Sequence, residues 1–136
     1  PAARIGAGSS IVLFAFFAPP VFSNPKASLL VLTASEAVSE STNSPVILVV
    51  EPMVNIAADG NSALVSGQAG VDAGSVDAGM VWVTAAAFDA SGAVIGVRRV
   101  ELADGVKAGS AVPFEMIVYS LGGKIDRVEL YIDAIP

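Results

Sequence analysis

An all-β antiparallel sandwich is the fold class that this sequence predicts. Three observations predict it. Short runs of apolar and β-branched residues recur at even spacing. Each run is closed by a cluster of Gly, Pro, Asp, Asn or Ser. No long stretch carries the 3.6-residue apolar period of a helix. With 136 residues and 54% hydrophobic content, the chain has material for one domain or two small β-modules.

The strands read as follows. Residues 11–18 form an apolar run that ends at Pro19-Pro20 and reads as a buried strand. Residues 28–34 are a second strand. Val46 to Val50 is a third, and Met53 to Ala58 extends it past Pro52, which suits a bend or an edge position. Asp59-Gly60-Asn61 is a turn. Ala63 to Ala69 is the next strand, followed by a loop of Gly, Asp, Ala and Ser from Gly70 to Gly79. Met80 to Phe88 is a long strand. Its two alternating sets, Trp82, Thr84, Ala86, Phe88 and Val81, Val83, Ala85, Ala87, are both rather apolar, so the strand is expected at the centre of a sheet. Asp89-Ala90-Ser91-Gly92 reads as a hairpin turn, with the Asp carboxylate bonding its own backbone and Gly supplying a positive φ. Ala93 to Val100 returns. Asp104-Gly105 and Ala108-Gly109 are turns, and Val112 to Tyr119 and Arg127 to Ile132 complete the set.

The opening of the chain reads like its ending. Ala7-Gly8-Ser9-Ser10-Ile11-Val12-Leu13-Phe14 parallels Ala108-Gly109-Ser110-Ala111-Val112-Pro113-Phe114-Glu115, and Ser28-Leu29-Leu30-Val31-Leu32-Thr33 parallels Arg127-Val128-Glu129-Leu130-Tyr131-Ile132. Residues 1–35 are therefore expected to be a partial β-module, residues 36–45 a polar linker, and residues 46–136 a complete sandwich. The overall expectation is an immunoglobulin-like antiparallel sandwich with an extra N-terminal half-module.

From about Val46 to Pro136 the order of features resembles the FxLYD domain, a β-sandwich of bacterial and archaeal exported and surface proteins. The resemblance runs through Val65-Ser66-Gly67, Ala85-Ala86-Ala87-Phe88-Asp89, Ser91-Gly92-Ala93-Val94-Ile95, the strand entry Lys107 to Phe114, and Val128 to Ile132. The naming motif departs from its pattern: Ala85 and Ala87 stand for its Phe and Leu, Phe88 for its Tyr, and Asp89 alone is unchanged. The resemblance implies a sandwich fold and a surface setting, and no catalytic activity.

Composition removes several function classes. The chain has no Cys and no His, so disulfides, thiolate nucleophiles, Cys/His zinc sites and Ser-His-Asp catalysis are excluded. A net charge of −6, with seven basic residues scattered apart from the pair Arg98-Arg99, argues against nucleic acid as a partner. Residues 11–18 fall far short of the roughly 20 residues that span a bilayer, so no transmembrane segment is expected. The same run, with Arg4 before it, also has the look of a signal-peptide core, although its retention in the chain argues against that reading. Low charge and abundant Ala, Val, Gly, Ser and Thr lean towards an extracellular or cell-surface location.

Asp59, Asp72, Asp77 and Asp89 are carboxylates in loops, where calcium sites occur, but no DxDxDG loop is present and they read as solvated turn residues. Glu115, Asp126, Glu129 and Asp133 could be arranged as a glycosidase pair, and read more simply as an outer polar face. Lys124 and Arg127 beside Asp126 and Glu129 suggest exposed ion pairs. Trp82 could be a sugar-stacking platform and, on a central strand, reads more simply as a core residue, and Tyr119 and Tyr131 cap the edge of the core. No cofactor, no metal and no enzymatic activity are expected.

The half-module sets the functional expectation. Its apolar side chains Ile11, Val12, Leu13, Phe14, Phe16 and Phe17, with Leu29, Leu30, Val31 and Leu32 beside them, need cover that a two-stranded piece cannot give itself. Each buried Phe contributes about 1.5–3 kcal/mol. Cover can come from the same chain's sandwich, from a neighbouring chain by donor-strand complementation, or from a preceding half of a longer protein. The second is favoured. Strand sharing that does not close gives an open fibre, so the chain is expected to be a structural subunit of an extracellular filament, a homopolymer with itself as partner. The alternative is a monomeric surface module for a carbohydrate or protein ligand, with Trp82 and the 70–79 loop as its face.

Overall fold

A computed structural model describes residues 44–136. The expected half-module, its ten interface residues and most of the linker lie outside the described residues.

Six antiparallel strands follow in chain order: β1 (Ile47–Ile56), β2 (Ser62–Val71), β3 (Met80–Phe88), β4 (Val94–Leu102), β5 (Ala111–Tyr119) and β6 (Arg127–Ile135). They form two three-stranded sheets, β1-β2-β5 and β4-β3-β6. This order is A-B-E against C′-C-F of an immunoglobulin-like sandwich. In that arrangement a further strand, G, lies beside F. Among the described residues, the position beside β6 holds no strand.

Alternation builds the core. Side chains paired directly across two antiparallel strands share a face. Ala63, Val65 and Ala69 of β2, Val81, Val83, Ala85 and Ala87 of β3, and Phe114, Met116 and Val118 of β5 all point inward and are buried. Val65, Val81, Val83 and Val118 are the largest side chains that are fully enclosed. Gly67 leaves the space that the Phe114 ring fills: a Cβ there would stand 3.1 Å from the ring.

The long strand is central, as its two apolar faces predict. The turn at 89–92 forms as expected: Asp89 Oδ1 accepts from the backbone N–H of Ser91 and Ala93 at 2.8 and 3.0 Å and from the Ser91 hydroxyl at 2.6 Å, and Gly92 has φ +84°. Pro52 lies on an edge strand, as anticipated. β1 passes it with a break in register between Val50 and Met53, and Glu51 takes φ +49°. The loop before β3 is shorter than expected, because β2 runs on to Val71.

Loops close the two ends of the sandwich. Ala78 and Val106 bridge through paired backbone bonds of 2.9 and 2.8 Å, and both are buried. At the other end Ile125 is buried, and its N–H donates to the Gly60 carbonyl at 2.8 Å. That bond ties the approach to β6 to the β1–β2 turn, so the Ile56 end of β1 lies beside the Arg127 end of β6.

Candidate functional site

The outer face of β4-β3-β6 is knitted together by its own side chains. Trp82 stands on this face, half-buried, opposite Glu101 on β4 and Asp133 on β6. Its indole N–H donates to Glu101 Oε2 at 2.9 Å, and the Arg99 guanidinium lies 4.7 Å from the ring centroid. Phe88 is covered likewise by Arg127 at 4.2 Å. Arg127 pairs with Glu129 at 3.0 Å, and the Tyr131 hydroxyl donates to Glu129 at 2.7 Å. These two donors hold the Glu129 carboxyl below the usual carboxylate range, the Tyr131 bond acting most strongly, and the same bond raises the Tyr131 phenol. The core placement of Trp82 is therefore corrected: the indole points outward. One ring face is already taken by Arg99, which leaves a poorer platform for a sugar than a free indole would give.

The loop aspartates each serve the local backbone. Asp59 accepts from the Asn61 N–H at 3.0 Å and Asp72 from the Gly74 N–H at 2.9 Å. Asp77 pairs with Lys107 at 2.8 Å and accepts from the Ala108 N–H at 2.8 Å, and both bonds lower its carboxyl. Among the described residues, no three carboxylates gather as a metal cage would require. Of the acidic residues Glu115, Asp126, Glu129 and Asp133, Glu129 is engaged as above and Asp133 accepts from the Ala134 N–H at 2.9 Å.

The four edge strands differ in how they resist addition of a further strand. Natural edges are blunted by Pro, bulges, inward-pointing charges or cover. β1 has Pro52 and its bulge. β5 has Pro113, and the residues after it are tied to β4 where the Leu121 N–H donates to the Ile95 carbonyl at 2.7 Å. β4 has a register break at Ile95. It also has Gly96 pressed against the Tyr119 carbonyl and, opposite the inward Ala85, the exposed charge of Arg98. An open groove of about 390 Å³ lies along this β4–β5 flank, with Arg98 and Glu115 among its lining residues.

β6 lacks the proline, the register break and the inward charge, and its charged residues Arg127, Glu129 and Asp133 stand on the outer face. It pairs with β3 in unbroken register from Arg127 to Ile135 and contains no Pro. Its inward row is Val128, Leu130, Ile132 and Ala134, all apolar and only partly buried. β1 borders the same flank. Val54 and Ile56 are paired with the enclosed Val65 and Ala63 and so face inward, yet they are 39% and 38% exposed. Core-facing apolar side chains are thus partly exposed beside a strand edge that is unpaired among the described residues. Sequence reading missed this site because it depends on which strand lies next to which. On the far face of β1-β2-β5, Leu48, Met53, Leu64 and Ile117 form a second exposed apolar surface.

No family model matches the chain, and no curated protein and no solved structure matches it.

Proposed function

We propose that the chain is a structural subunit of an extracellular filament or surface assembly, joined to its neighbours by donor-strand or half-domain complementation. The observation that carries this reading is the flank between β1 and β6, where, among the described residues, no strand pairs with β6 on that side and Val54 and Ile56 face the core while 39% and 38% exposed. An added strand there would complete both the hydrogen-bond ladder and the core, which is how β-augmentation gains affinity and specificity together. The apolar run at residues 11–18 and the FxLYD resemblance, with its surface setting, support the same reading. An interface carried by one chain's edge and another chain's segment is heterologous and propagates unless it closes into a ring.

Negative-stain microscopy and sedimentation of the purified chain at micromolar concentration test this. Filaments or rings are expected. A population of monomer alone overturns the reading and leaves the monomeric binding module in its place.

A further inference from the structure

We infer that the acceptor is the edge of β6 that is unpaired among the described residues, and that its occupant is the 11–18 run of a second copy, laid along β6 as a further strand. This rests on the assembly reading above and names the partner surfaces within it. β6 is singled out by exclusion. The other three edges carry a proline, a bulge, an inward charge or a bond to a neighbouring strand, and β6 carries only apolar inward residues in unbroken register.

The donor fits by length and chemistry. At about 3.3 Å per residue, residues 11–18 extend over about 26 Å, against about 30 Å for β6. Pro19-Pro20 ends the run, and Gly8-Ser9-Ser10 precedes it, so the apolar stretch is bounded on both sides. Both of its alternating sets are apolar: Ile11, Leu13, Ala15, Phe17 and Val12, Phe14, Phe16, Ala18. One set would enter the flank against Val54, Ile56, Val128 and Leu130. The other would continue the outer face beside Tyr131 and Asp133.

Because the chain has no cysteine, disulfide trapping between two full-length variants reads the contact cleanly. One preparation carries Leu13→Cys, Phe14→Cys, Ala15→Cys or Phe16→Cys. The other carries Asp133→Cys, on the outer face of β6. Mixed assemblies are oxidised and the interchain product is measured. The expected result is a link to Asp133→Cys with a period of two along the donor: strong from one of the pairs 13/15 and 14/16, and several-fold weaker from the other. Val97→Cys on β4 and Met53→Cys on β1 should give no comparable link. Assemblies that form but link through those edges, or that link equally from all four donor positions, overturn this assignment and leave the assembly reading standing. Sedimentation showing only monomer before oxidation overturns both.

Discussion

At the scale of single residues, the structure is held by small side chains in tight places and by carboxylates that order turns. A Cβ at position 96 would overlap the Tyr119 carbonyl oxygen, so Gly96→Ala forces β4 and β5 apart. The expected cost is about 1–3 kcal/mol, the usual range for overpacking, visible as a lower urea midpoint. Val83→Ala empties a fully enclosed site between the sheets and should cost about 2 kcal/mol in the same measurement. Asp89 is held below the ordinary carboxylate range, first by the Ser91 hydroxyl bond and then by the Ala93 N–H. A lowered carboxyl stabilises the fold above the unfolded-state value of about 4 and loses that contribution as pH falls through its folded value. Asp89→Ala should therefore lower Tm at neutral pH and flatten the fall in Tm with acid, read by thermal melts from pH 6 to pH 2.

At the scale of elements, the edges decide what the sandwich can do. Val54 and Ile56 are more exposed than the other apolar side chains of the inward rows, so a charge there disturbs the flank more than the core. Ile56→Lys should abolish assembly in sedimentation while leaving the thermal transition cooperative, with Tm little changed. The inward charge would be added to β1, where it would act as Arg98 does on β4. A filament population equal to that of the parent chain would show that the flank is not the contact surface. The internal repeat acquires a different sense at this scale. The later counterparts of the two N-terminal runs are β5 and β6, which lie in opposite sheets and do not pair with each other.

At the scale of the whole molecule, the described sandwich is a C′-C-F sheet packed on an A-B-E sheet, with loops sealing both ends and one flank open. Its outer surfaces are not alike. One is tied by the Trp82, Arg99, Glu101 and Arg127, Glu129, Tyr131 groups, whereas the other presents Leu48, Met53, Leu64 and Ile117 to solvent. Filaments built through the β6 edge draw on apolar burial and ladder bonds more than on ion pairs. Their dissociation should accordingly respond strongly to urea and weakly to sodium chloride. A filament that falls apart in moderate salt at neutral pH would point instead to contacts through the charged outer face.

The all-β class, the order of the six strands from residue 46 onward and most of their turns are legible along the chain. Those depend on local chemistry: alternation along a strand, Asp with Gly at the 89–92 turn, Pro52 at an edge. The outward orientation of Trp82 emerges only when the sheets pack, because both faces of β3 are apolar and alternation alone does not say which one is inside. The buried roles of Ala78, Val106 and Ile125 were likewise settled by closure of the ends, which brings loop residues far apart in the chain against the same core. Above all, the place of β6 at a sheet edge among the described residues belongs to the folded molecule. A strand edge is free or blocked according to its neighbours in space, and those neighbours come from pairings between residues distant in sequence.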